Sequence, residues 1–177
     1  MRAALKALSY PDLKTKESYR LQRAVINLTH KHYMRPFYHI WDHKISAGDH
    51  NIPVRIFYPE IVGEFPLLIF FHGGGWVTGN IDSYDICANL AKHTKRTVVS
   101  VDYRLAPEHK FPAGLEDCYR VVQEVIANAP ALGGQPDNIT LIGDSAGGNL
   151  AAAVSLMARD RGEPMAQAQI LLYPAVN

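Results

Sequence analysis

The sequence predicts an α/β fold, a mostly parallel sheet flanked by helices, and three observations predict it. Short continuous apolar runs, PLLIFF at 66–71, RTVVSV at 96–101 and NITLIG at 138–143, are bounded by breakers, as strands buried on both faces are. Segments of helical pattern alternate with them, and strands alternating with helices imply parallel pairing. The stretch LIGDSAGGNLAAA at 141–153 turns a strand directly into a helix through a glycine-rich corner.

In chain order, Leu21, Val25 and Leu28 repeat at helical spacing among charged residues, so an amphipathic helix is expected from Glu17 to Met34, ended by Pro36 and laid on an apolar surface. After Gly48, IPVRIFY alternates and is β-branched and aromatic, a strand half-buried by pattern. Helices are expected from Ser83 to Thr94, Gly114 to Asn128 and Gly147 to Arg161, the last closed by Gly162 at a C-cap position. AQILLYP at 168–174 reads as one more buried strand. A parallel strand apolar on both faces needs neighbours and covering helices, so the sheet is expected to be truncated after about the sixth strand. No internal repeat or low-complexity tract interrupts this order.

Composition narrows the classes of function. The 177 residues are 47% apolar and 20% charged with a formal net charge of +1, which suits one soluble domain and offers no basic stripe for nucleic acid. LLIFF at 67–71 is too short to span a bilayer, and the N-terminus lacks the apolar run of a secretory signal. Cys87 and Cys118 show no C-x-x-C spacing, so a reducing, cytoplasmic compartment is expected. His30, His32, His39, His43 and His50 match no metal-binding spacing, and neither a metal nor a cofactor is expected.

Gly143-Asp144-Ser145-Ala146-Gly147 fits G-x-S-x-G, a turn that lifts a serine hydroxyl above a sheet and aims a helix N-terminus at it. The alternative is a glycine-rich turn in which Ser145 merely caps the helix. FFHGGGWVTGN, directly after a strand, places three successive glycines where bare backbone amides can approach a substrate oxygen. Gly74 and Gly75, joined by Ala146, are the expected donors to the oxyanion of an acyl-transfer intermediate. A dinucleotide fingerprint fails by one residue, since Gly73, Gly75 and Gly79 do not fit G-x-G-x-x-G, and no P-loop lysine follows.

HGGGW at 72–76, GNIDSYD at 79–85, DYRLAPEHKFPA at 102–113, GDSAGGNLA at 143–151 and LLYP at 171–174 together resemble the hormone-sensitive-lipase-like branch of the α/β-hydrolases, nearest its bacterial acetyl-esterase type. The resemblance runs from about Val54 onward and implies the fold's N-terminal portion. It implies Ser145 as the catalytic nucleophile, Gly74, Gly75 and Ala146 as the oxyanion hole, and Arg104 and Glu108 as structural ion-pair formers. It also implies a helical cap segment over residues 1–40 and an incomplete core over 41–177.

One part of the pattern breaks. In α/β-hydrolases the triad follows the order Ser, Asp or Glu, His, yet all eight histidines lie at or before His109. The later carboxylates are Asp160 and Glu163, and Asp160 stands about 22 Å along the helix from Ser145 at 1.5 Å per residue. His72 and His109 remain as substitutes for the base. The resemblance sets the Asp after a seventh strand and the His after an eighth, on the order of a hundred residues further on.

The expected function is hydrolysis of carboxylic esters with short acyl or small aryl groups, the triad Asp and His being absent from this chain. The alternatives are a non-catalytic small-molecule binding module and an inactive fragment. The expected partner is a small-molecule ester, with no nucleic acid and no membrane span, and a homo-oligomer stays open.

Overall fold

The computed structural model describes residues 15–30, 39–60, 63–83 and 85–176. Its strands are β1 (Ile40–Ser46), β2 (Asn51–Phe57), β3 (Phe65–Phe71), β4 (Thr97–Val101), β5 (Gly134–Asp144) and β6 (Ala168–Leu172). Its helices are α1 (Thr15–His30), α2 (Ile86–Thr94), α3 (Ala113–Ala127) and α4 (Ala146–Arg161). The strands form one sheet in the order β1-β2-β4-β3-β5-β6. β4, β3, β5 and β6 run parallel, while β1 and β2 join antiparallel at one side.

Alternation along β3 explains the layering. Leu67, Ile69 and Phe71 enter the larger core with Val121, Val125, Leu150 and Val154 from α3 and α4. Leu68 and Phe70 point the other way, onto Cys87 and Ala91 of α2. Successive side chains of a strand face opposite sides, so a continuous apolar run is the pattern of a strand covered twice. The three runs expected to be buried on both faces are β3, β4 and the second half of β5. IPVRIFY is β2, with Ile52, Val54 and Ile56 inward as its alternation requires.

Several boundaries differ from the sequence reading. β1 had no counterpart in it, because IWDHKIS carries polar residues at a sheet edge where only Ile45 is buried. Such polarity blunts an edge against further pairing. β5 begins at Gly134 rather than 138, since Gly134 and Gln135 pair with Phe65 and Pro66 before the register shifts. A 3₁₀ turn, Ile81–Ser83, precedes α2, which starts at Ile86. β6, expected to be buried, has a single neighbour, β5, and Ile170 is 44% exposed. Apolarity records what a strand can bury, whereas burial also needs a neighbour on each side.

α1 departs most. Two residues of its expected apolar stripe face out, Leu21 68% and Val25 49% exposed, while Tyr19 is buried. The end at Pro36 lies outside the described residues. Among the described residues, no helix is long and apolar enough to cross a membrane.

Candidate active site

Ser145 stands between β5 and α4 at φ 51°, ψ −115°. A non-glycine residue held in such a conformation costs of order 1–3 kcal/mol and persists only where its surroundings fix it. Here the backbone fixes it. Ser145 N–H donates to Leu172 O at 2.9 Å, while Ser145 O accepts from Asn149 N and Ala175 N, each at 3.1 Å. The flanking glycines are steric necessities, because a Cβ on Gly143 would lie 2.2 Å from Gly147 O and one on Gly147 2.0 Å from Phe71 O. The Ser145 side chain caps nothing in α4, so the capping alternative is not what the residue does.

The second turn follows β3. Gly74, Gly75 and Trp76 take φ values of 115°, 62° and 59° in succession. Gly74 O is the hub, accepting from Val77 N at 3.1 Å, Thr78 N at 3.0 Å and Thr78 Oγ1 at 3.1 Å. The amides of Gly74 and Gly75 donate to no protein acceptor among the described residues. Ala146, the first residue of α4, carries one of the amides that a helix start leaves unpaired.

Side chains from elsewhere tie this loop down. Gly73 N–H donates to Asp144 Oδ1 at 2.9 Å, linking the loop to the serine turn. Tyr103 OH donates to His72 O at 2.6 Å, and the His72 ring stacks on Tyr103 with centroids 4.3 Å apart. His72 is fully buried with Nδ1 2.8 Å from Gly73 O, and burial pushes its pKa down to about 4. A neutral ring in that position shapes the loop. His109 is exposed at the rim of an adjoining cleft.

That cleft, of about 390 Å³, is lined by Gly75, Trp76, Phe111, Leu115, Leu150 and Ala153 among others. It runs from Gly75 to Asn149, Leu150 and Ala153 of α4. Pockets for small ligands begin at roughly 300 Å³ and are mostly apolar with few polar groups.

Behind the cleft, Arg104 pairs with Asp117 at 2.9 Å, and Asp117 also accepts from the Arg104 backbone N–H at 2.9 Å. His50 Nε2 lies 2.8 Å from the same carboxylate and its Nδ1 2.8 Å from Asp49, contacts that raise the imidazole pKa. Glu108 pairs with Arg23 of α1 at 3.0 Å. Both ion-pair roles expected of Arg104 and Glu108 are therefore realised. Beyond β2, burial raises Asp102 to about 6, helped by the nearby Asp82 and opposed by Arg55, which itself pairs with Asp42.

Sequence reasoning expected Ser145 and Ala146 on one turn and Gly74 and Gly75 on another, two turns that are joined by the Gly73–Asp144 hydrogen bond. It missed Asp144, Tyr103, Asp117 and Arg23. The first two lie inside quoted motifs, so a signal existed; Arg23 reads as one charge among several on a helix. Of the described histidines, His43 packs near Trp41, with ring centroids 5.2 Å apart, and His50 sits between carboxylates. Among the described residues no group of three ligating side chains could hold a metal; His32 lies outside them.

A strained serine where a central parallel strand meets a helix, with a glycine loop across from it, is the architecture of nucleophile-elbow α/β proteins. Residues 68–177 match the family described as alpha/beta hydrolase fold, and the chain belongs to that family. It is 46% identical over 126 residues to the carboxylesterase NlhH of Mycobacterium tuberculosis, covering 70% of this chain and 40% of that protein. An arylesterase of Saccharolobus solfataricus is 42% identical over 136 residues, covering 76% and 44%. The solved esterase of Pyrobaculum calidifontis superposes with a TM-score of 0.84 at 41% identity, covering 95% of this chain and 55% of that one. The chain thus spans less than half the length of these two curated relatives.

Proposed function

We propose that this chain carries the nucleophile and oxyanion-binding half of a serine hydrolase acting on carboxylic esters with short acyl or small aryl groups. Ser145 Oγ attacks the ester carbonyl carbon, its proton passes to a general base, and the carbonyl oxygen becomes an oxyanion held by the amides of Gly74, Gly75 and Ala146. The C–O bond then breaks, the alcohol leaves with that proton, and water releases the acid from Ser145 by the same steps. No histidine follows Ser145 here, so the reading assigns the base and its orienting acid to protein outside this sequence. The observation that carries the reading is Ser145 at φ 51° beside a loop whose glycine amides are free to donate. The size of the cleft supports small substrates over long lipids. α1, lying against this site through Arg23, supports a cap role for residues 1–40. The two free cysteines, both buried, support a reducing, cytoplasmic location.

The test uses the protein as its cell makes it, assayed with p-nitrophenyl acetate beside Ser145→Ala. A loss of at least about a thousandfold in kcat/KM is expected on losing the nucleophile. Equal activity in the two proteins would remove Ser145 from the chemistry and leave the cleft as a binding site.

A further inference from the structure

We infer that Arg23 is a positioning residue: its guanidinium clamps the strained turn 74–78 and the facing loop at Ala106 into one unit. The inference rests on the proposed ester hydrolysis and adds a residue to it. Arg23 Nε donates to Val77 O at 2.6 Å and Nη2 to Ala106 O at 2.9 Å. Glu108 holds the same guanidinium with two oxygens, at 3.0 and 3.1 Å. Ala106 N–H in turn donates to Trp76 O at 2.8 Å, closing a ring through Arg23, Val77, Trp76 and Ala106. Underneath, the Tyr19 ring lies 5.0 Å from the guanidinium carbon.

Two features set this apart from an ordinary surface ion pair. One carbonyl it holds, Val77 O, directly follows three consecutive residues with positive φ, Gly74 to Trp76, and strain of that kind persists only under outside constraint. Val77 N donates to Gly74 O, so fixing Val77 fixes the Gly74–Gly75 peptide, which presents the Gly75 amide. The planar fork makes four N–H contacts here, to two carbonyls and both oxygens of a carboxylate, whereas an ammonium has three donors on a single atom.

Oxyanion donors act only if held where the charge develops, and misplacement by an ångström costs up to about a hundredfold in rate. The experiment compares Arg23→Ala and Arg23→Lys with the unaltered and Ser145→Ala proteins, well below their melting temperatures. It measures kcat and KM separately, with amide hydrogen exchange at residues 73–78. Expected are a drop in kcat of about tenfold to a hundredfold with KM within about threefold, faster exchange across the turn, and no rescue by lysine. Unchanged kcat with a lower melting temperature would overturn the inference, leaving Arg23 a structural tie. A rise in KM alone would also overturn it, making α1 a wall of the substrate site. If the unaltered protein matches Ser145→Ala, ester hydrolysis itself fails and takes this role with it, whereas a dead Ser145→Ala beside a fully active Arg23→Ala sinks this inference alone.

Discussion

Two strained turns are joined through Gly73 N–H and Asp144, and they are held by different means. At Ser145 the constraint is steric and local: the end of β6, α4 and the segment after β6 bond to the serine backbone, and Gly143 and Gly147 let the elements touch. At Gly74–Trp76 the constraint is a set of side chains from distant parts of the sequence, Arg23, Asp144 and Tyr103. A turn fixed by close-packed backbone has no softer state to relax into. A turn fixed by side chains can be loosened one hydrogen bond at a time, so substitutions should separate the two.

The largest effect is expected at the serine turn. Gly147→Ala drives a methyl to within 2.0 Å of Phe71 O, a backbone atom of a buried strand that cannot swing aside. Forcing the elements apart should cost at least about 3 kcal/mol, read as the shift in urea midpoint. A loss below about 1 kcal/mol would mean that β3 and α4 can separate there, and the contrast between the turns would collapse. Second in size is Asp144→Ala, which removes the acceptor of the buried Gly73 N–H. An unsatisfied buried donor costs about 1–3 kcal/mol, and exchange at Gly73 should quicken while the α4 amides keep their protection. Matching acceleration in α4 would show that the two turns are one unit.

The elbow was legible in the sequence for the reason it is rigid. Steric demands write themselves as glycines at fixed spacing, and Gly143, Ser145 and Gly147 can be read without knowing what they touch. The three inner strands were legible because burial on both faces leaves an unbroken apolar run. The loop's scaffold was not, since Arg23 and Asp117 look like solvated charges until their partners, 83 and 13 residues away, are known. α1 shows the same limit from the other side: Leu21 and Val25 keep a helical apolar spacing, yet the helix docks by Tyr19 and Arg23. β1 stayed hidden because an edge strand is selected for polarity.

Gly75→Ala should have the third effect. A Cβ there meets nothing within 4 Å, so the cost is the left-handed backbone alone, about 1 kcal/mol by denaturation. A cost as large as that of Gly147→Ala would mean the loop is as tightly enclosed as the elbow, and the distinction between them would fail.

The smallest effect asks how far the loop's scaffold reaches. Asp117 receives the Arg104 backbone N–H, one residue from the Tyr103 that braces His72, and His50 closes the far side of that carboxylate. Asp49 and then Asp117 raise the His50 pKa above its ordinary 6.5, against burial and the repulsion of Arg104. A histidine raised on folding contributes stability that is fully present below 6.5 and fades as pH climbs through the folded value. Wild type should therefore exceed His50→Gln in urea midpoint at about pH 6 and lose that margin by about pH 8.5, since only the imidazolium gains from both carboxylates. The margin should be small, because Asp49 is 88% exposed and Arg104 stays on Asp117 in either protonation state. A margin that does not change with pH would show that His50 acts as a neutral hydrogen-bond partner, and the charged part of the scaffold would end at Arg104.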